Sequence, residues 1–258
     1  MTDLNSLKIL LVQIRQDASL LAAERREFVE FSGLTDDQFR TLDVFREPDF
    51  AADLLDGYDA LLIGGLSDDD GEQITLPKFF DPFIHNLYAL MQYAIDHKVP
   101  ALLSCGGFML ASEWLGAEVV IDPMQAELGM YTICLTAQAH EDMLFKNFPA
   151  AFKAVSGHIK STLNLPAGCL HLAYSKRCQV HGFKVVAAPF YAFQFHPEIT
   201  CEDLLERVEA YKDKYFDSEE AYQKFIMMTG STDTANRILT RFIQLVSEGK
   251  LWGPMGEC

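Results

Sequence analysis

The chain has 258 residues, of which 49% are apolar and 22% are charged, and its formal net charge is −16. This length and apolar content suffice to bury a large core, and they match the upper end of a single α/β domain. The acidic balance argues against nucleic-acid binding and against docking on an anionic membrane surface, because both need clustered Lys and Arg.

The start of the chain and its cysteines favour the cytoplasm. Residues 1–6 are neutral to acidic and lead into a short aliphatic stretch, whereas a signal peptide needs a basic start and a longer apolar run. No apolar run reaches the roughly 18 residues of a membrane span. The six cysteines are Cys105, Cys134, Cys169, Cys178, Cys201 and Cys258. They lack CxxC spacing, which favours free thiols over disulfides or a zinc site, and we expect no metal or other cofactor.

The first 120 residues alternate predicted strands and helices. Strands are expected over 7–12, 41–45, 58–63 and 99–104, and helices over 50–55, 79–96 and 106–115. The acidic stretch 67–71 lacks the spacing of a calcium loop and is expected to be a solvated loop. The alternation predicts a doubly wound, mostly parallel sheet, and such sheets place active sites at the carboxyl ends of their strands.

From residue 118 the pattern changes to short strands and turns. The predicted strands cover 130–136, 152–155, 169–174, 178–187 and 191–195, and the predicted helices that follow cover 202–215 and 232–248. We expect these strands to extend the sheet in an antiparallel manner. The predicted organisation is one domain over residues 1–200, with a helical C-terminal extension over 201–258 packed on it.

Cys105 lies where a short apolar strand turns abruptly into a helix. A Cys in an α/β protein is usually a small buried hydrophobe, but a helix N-terminus favours the thiolate. Gly106 and Gly107 keep the turn free of side chains, so that backbone N–H groups can approach a developing oxyanion. Gly64 and Gly65 end a neighbouring strand and can offer a second N–H. The pattern indicates a nucleophilic thiol beside an oxyanion hole.

His196 and Glu198 follow the last predicted strand. In an extended chain, residues two apart point the same way, so Glu198 can lie beside the imidazole of His196. Pro197 keeps His196 out of the helical region and fixes the segment. Glu198 would hold one ring nitrogen as a donor and leave the other to take the proton from Cys105. The sequence therefore predicts a Cys–His–Glu catalytic triad.

These motifs together resemble the class I, or triad, glutamine amidotransferases over about residues 7–200, and Gln194 to Glu198 is the most specific part. The nearest look-alikes are stand-alone members related to the amidotransferase domain of GMP synthase and to γ-glutamyl peptidases. The resemblance implies the flavodoxin-like fold of that class and a thioester mechanism. Cys105 would attack the γ-carbonyl of a small glutamyl substrate, His196 would protonate the departing amine, and water would release glutamate.

The resemblance also implies roles for residues around the nucleophile. Gly65 and Gly106 would donate to the oxyanion. The residues expected to bind the substrate are Gly64, Met109, Gly157 and His158. Met109 replaces a Gln that normally contacts glutamine, and Lys160 replaces a frequent Asp. We therefore expect intact chemistry with altered substrate recognition.

Three functions remain open at this point. In the first, ammonia from glutamine passes to a separate synthase subunit, and in the second the protein acts alone on γ-glutamyl peptides or conjugates. In the third, a binding or regulatory protein has kept the fold without turnover. A homodimer is compatible with all three.

Overall fold

The computed structural model describes residues 2–66, 81–210, 212, 216, 218–227 and 229–251. Four sequence-based expectations fall at least partly outside these residues: the acidic loop 67–71, the first residues of the helix 79–96, the end of the helix 202–215, and Cys258.

The described part contains eleven strands and seven α-helices. The strands are β1 (Ile9–Ile14), β2 (Phe39–Asp43), β3 (Ala60–Leu66), β4 (Ala101–Ser104), β5 (Val119–Ile121), β6 (Glu127–Leu135), β7 (Ala151–His158), β8 (Lys160–Thr162), β9 (Cys169–Ser175), β10 (Gly182–Val185) and β11 (Phe190–Phe193). The helices are α1 (Ala18–Ser32), α2 (Ile84–Asp96), α3 (Gly106–Trp114), α4 (Ala137–Glu141), α5 (Cys201–Ala210), α6 (Glu219–Met227) and α7 (Asp233–Glu248).

Nine of the strands form one sheet in the order β2-β1-β3-β4-β11-β10-β9-β6-β7. The strands from β2 to β11 in this order pair in parallel, and those from β11 to β7 pair in antiparallel fashion. The predicted α/β fold, a mostly parallel sheet with an antiparallel extension and a helical C-terminal tail, is therefore confirmed. The strand β11 marks the change of direction, and its register sets Phe193 opposite Ser104 at the end of β4.

Helices cover both faces of the sheet. All six residues of β1 are buried, as expected for a central strand with helices on either side. Alternate β1 side chains enter two separate cores: Leu11 packs into the core that contains Phe28 of α1, and Leu10 into the core that contains Leu87 of α2. The helix α7 lies in the first core, where Phe242 packs against Tyr191 of β11 with ring centroids 6.2 Å apart.

Several elements differ from the sequence-based expectation. The predicted strand over 178–187 is only β10, because a turn occupies the residues before it, and the predicted helix over 50–55 is a single 3₁₀ turn at Ala52–Leu55. The helices α1, α4 and α6 and the small β5–β8 sheet were not predicted. Burial of Glu24 and Glu27 in α1 explains one omission, since charged residues on the inner face disguise its apolar stripe. No helix in the described ranges is long and apolar enough to cross a membrane.

Candidate active site

Cys105 sits in a strained elbow between β4 and α3. Its backbone has φ 46° and ψ −95°, a combination that a side chain disfavours and that clusters at functional sites. The Cys105 N–H donates to the carbonyl of Phe193 over 2.8 Å, which ties the elbow to the end of β11. A Cβ atom on Gly106 would lie 2.5 Å from the backbone nitrogen of Leu66. Only glycine therefore allows the start of α3 to pack this closely on the end of β3.

His196 and Glu198 form a buried hydrogen-bonded pair. The His196 Nδ1–H donates to Glu198 Oε1 over 2.6 Å, and the Ser104 hydroxyl donates to the same oxygen over 3.0 Å. The His196 backbone N–H donates to the carbonyl of Val155 over 2.9 Å, which fixes the segment against β7. These contacts hold the imidazole in one orientation, as the base of a triad requires.

The charges in this pair favour the ionised forms. Burial alone would lower the pKa of His196, but the charges of Glu198 and Cys105 and hydrogen bonds to both raise it to about 10. Burial would raise the pKa of Glu198, but the charge of His196 and hydrogen bonds from His196 and Ser104 keep it below its usual value. The structure thus brings Cys105, His196 and Glu198 together with an imidazole that readily holds a proton.

The segment that carries His196 and Glu198 is also held from the C-terminal side. The amide of Asn236, in the first turn of α7, donates to the carbonyls of Pro197 over 2.8 Å and Ile199 over 3.2 Å. Neither Asn236 nor Ser104 was singled out from the sequence, because each reaches the site through a distant part of the fold. The C-terminal helix therefore supports the site as well as the core.

A buried ion pair lies beside the elbow and was also not anticipated. Arg15, which follows β1, donates through Nε to Glu24 Oε1 of α1 over 2.7 Å. The same carboxylate accepts the Gln13 side-chain amide over 3.0 Å and the Gly65 N–H over 2.9 Å. The Gly65 N–H, which the resemblance assigns to the oxyanion, is therefore engaged by Glu24. The polar residues Gln13 and Arg15 at the end of a central strand were the available sequence signal.

The residues expected to bind the substrate lie at different places. The Cys105 thiol donates to the carbonyl of Gly157 over 3.9 Å, a long contact that puts this backbone beside the nucleophile. Met109 is 7% exposed, one helical turn after Cys105. Gly64 packs against Glu24, since a Cβ atom there would lie 2.4 Å from the carboxyl carbon. Gly157 is thus the member of this group with a recorded contact to the thiol.

His158 belongs to a buried polar network rather than to the thiol. Its Nδ1–H donates to the carbonyl of Lys160 over 2.9 Å, and its Nε2 lies 3.7 Å from Glu127 Oε2. His181 Nε2–H donates to the same oxygen over 2.8 Å. Among the described residues, His158, Cys178 and His181 have the spacing of metal ligands. Burial raises the pKa of Cys178 to about 12, which favours the thiol over the thiolate that binds metals.

A family comparison agrees with this geometry. The family model described as "Glutamine amidotransferase class-I" matches residues 43–209. The chain belongs to this family. The matched span covers the elbow, the His–Glu pair and Gly157, so the predicted family is confirmed.

Relatives give the same picture. The chain is 34% identical over 118 residues to the glutamine-hydrolysing subunit of GMP synthase from Methanocaldococcus jannaschii, covering 46% of this chain and 61% of the relative. The corresponding protein of Thermoplasma acidophilum is 30% identical over 145 residues, covering 56% and 66%. The chain thus matches a little under two thirds of the length of these relatives.

The solved structures support the fold. A glutamine amidotransferase from Methylobacillus flagellatus superimposes with a TM-score of 0.70 at 18% identity, covering 98% of this chain and 100% of that one. A glutamine amidotransferase from Thermotoga maritima gives 0.66 at 18% identity, covering 95% and 99%.

Proposed function

We propose that the protein is an enzyme that hydrolyses a γ-glutamyl amide through Cys105. The carrying observation is the continuous chain of contacts from Ser104 through Glu198 and His196 to a cysteine held in a strained elbow. A buried carboxylate–imidazole pair beside a strained thiol is costly for stability alone, and nucleophilic catalysis supplies a reason for it.

The reaction follows from the roles of these groups. The Cys105 sulfur attacks the γ-carbonyl carbon, a C–S bond forms, and the carbonyl π electrons move to oxygen. Collapse of this tetrahedral adduct breaks the C–N bond, and His196 gives its proton to the departing amine. Water, deprotonated by His196, then attacks the thioester, and glutamate leaves as the Cys105 sulfur regains its lone pair. Glu198 stabilises the imidazolium in both halves.

The first candidate substrate is glutamine, with ammonia passed to a separate synthase subunit. The support is the printed name of the relatives, which are glutamine-hydrolysing subunits of GMP synthase. The second candidate is a stand-alone γ-glutamyl peptidase. Met109, buried next to the elbow in place of the glutamine-contacting residue of the family, supports an altered pocket. A homodimer fits either candidate, and unpaired cysteines at the described positions fit a reducing cytoplasm.

Mass spectrometry after exposure to 6-diazo-5-oxo-norleucine tests the proposal. A single adduct on Cys105 that excess glutamine blocks is expected for a glutaminase, and an adduct that only γ-glutamyl peptides block is expected for a peptidase. A Cys134→Ala variant is the matched control and should be labelled like the wild type, since this partly exposed thiol lies elsewhere. A Cys105 that reacts with iodoacetamide but never with the glutamine analogue would favour the non-catalytic alternative.

A further inference from the structure

Glu24 occupies the backbone donor on which the oxyanion was expected to depend. Its carboxylate is 1% exposed and accepts hydrogen bonds from Arg15, Gln13 and Gly65. A carboxylate is an acceptor only, so it cannot itself stabilise an oxyanion. As long as Glu24 holds the Gly65 N–H, the negative charge that develops beside Gly106 needs another donor.

Arg15 reaches the same point from the end of β1. A Cβ atom on Gly65 would lie 2.3 Å from Arg15 Nη2 and 3.0 Å from His196 Cε1, so both groups flank one position on the Gly65 backbone. The hydrogen bond to Glu24 uses Nε, which leaves the outer guanidinium nitrogens on the side of the elbow.

The charges show that the guanidinium belongs to the site. Burial lowers the pKa of Arg15, but the charge of Glu24 and a hydrogen bond to it, followed by the charges of Cys105 and Glu198, raise it above its usual value. Arg15 is 6% exposed, so water screens these interactions weakly. A fixed positive charge within reach of the thiol lies where the reaction accumulates negative charge.

We propose that Arg15 is a catalytic residue whose outer guanidinium nitrogens, with the Gly106 N–H, stabilise the oxyanion formed when Cys105 attacks the γ-carbonyl. The inference rests on the proposed function. Arg15 keeps all its protons throughout, because it donates hydrogen bonds and transfers none. Glu24 orients Nε and holds the Gly65 backbone, so the ion pair acts as a preorganised support for the donor.

The test uses the full chain with glutamine and γ-glutamyl-4-nitroanilide as substrates. Loss of one oxyanion donor typically lowers kcat about 100-fold or more, so Arg15→Gln is expected to show that loss with KM changed by less than about threefold. Alkylation of Cys105 by iodoacetamide forms no oxyanion and should slow far less. Arg26→Gln is the matched control, because its side chain is 62% exposed on α1, and it should behave like the wild type.

A double variant separates catalysis from folding. Arg15→Gln alone leaves Glu24 buried without its cation, whereas Arg15→Gln with Glu24→Gln removes both charges and keeps an amide oxygen for the Gly65 N–H. This double variant is expected to recover wild-type thermal stability while kcat stays about 100-fold low. Recovery of kcat, or an equal fall in acylation and alkylation rates, would overturn the assignment to the oxyanion. Wild-type turnover with unaffected Arg15 variants refutes only this inference, whereas a wild type inactive on both substrates refutes the proposed function as well.

Discussion

Replacement of Glu24 by Ala should destabilise the fold more than any exposed change on the same helix. The carboxylate is 1% exposed, and its removal leaves Arg15 buried without its anion and the Gly65 N–H without its acceptor. The side-chain amide of Gln13 also loses a partner. The perturbation therefore acts on three donors at once, at the junction of β1, α1 and β3.

The size of the effect follows from the burial of the pair. Breaking a buried ion pair by removing one partner typically costs about 3–5 kcal/mol, because the remaining charge is left uncompensated. Glu24→Gln retains an oxygen that can still accept the Gly65 N–H, so we expect a smaller loss of about 1–3 kcal/mol. Glu30 lies exposed on the same helix, and Glu30→Ala should change the free energy of unfolding by less than about 0.5 kcal/mol.

Urea unfolding followed by far-UV circular dichroism measures all three variants. The midpoints should fall in the order Glu30→Ala, Glu24→Gln, Glu24→Ala, with the slope m unchanged. The double variant Arg15→Gln with Glu24→Gln should lose less than the sum of the two single losses, because the two charges are coupled. If Glu24→Ala lost less than about 1 kcal/mol, the pair would be hydrated in solution and the reasoning from burial would be wrong.

Three further predictions concern the His196–Glu198 pair and the elbow. In Glu198→Gln, the pKa of His196, read from the NMR shift of its Cε1 proton, should fall from about 10 toward its usual 6.5, and an unchanged midpoint would exclude Glu198 as its cause. Because the folded-state pKa of His196 is raised, its contribution to stability is complete below about pH 6.5 and is lost toward pH 10; urea midpoints of His196→Gln and wild type should therefore converge at high pH. Gly106→Ala should lower kcat about 100-fold, since its Cβ would lie 2.5 Å from the Leu66 nitrogen, while Gly230→Ala, with open space around it, should leave kcat unchanged.

Local patterns explain what the sequence could predict. The wholly apolar β1 and the regular alternation of strands and helices depend on neighbouring residues, and they led to the observed sheet. The spacing of His196 and Glu198 is likewise local, because an extended segment places both side chains on one side. Their hydrogen bond is as short as that geometry allows, at 2.6 Å.

Long-range contacts explain what the sequence could not predict. Arg15 and Glu24 satisfy each other across a strand and a helix, and before the fold is known each looks like an exposed charge. The same carboxylate made α1 look polar, so one buried pair concealed both a helix and part of the site. Asn236 lies 39 residues from the Pro197 carbonyl that it holds, and no local spacing relates the two.

The register of β11 explains how one sheet assembles a nucleophile and a base from distant segments. The strand β11 is the partner at which parallel pairing ends, so its end lies level with the end of β4, with Phe193 opposite Ser104. The Cys105 N–H bonds to Phe193, and three residues later the His196 N–H bonds to Val155 on β7. The thiol and imidazole are thus positioned by backbone hydrogen bonds from two different strands. A shift of one residue in this register would send the base to the opposite face of the sheet while leaving every site residue in the sequence unchanged.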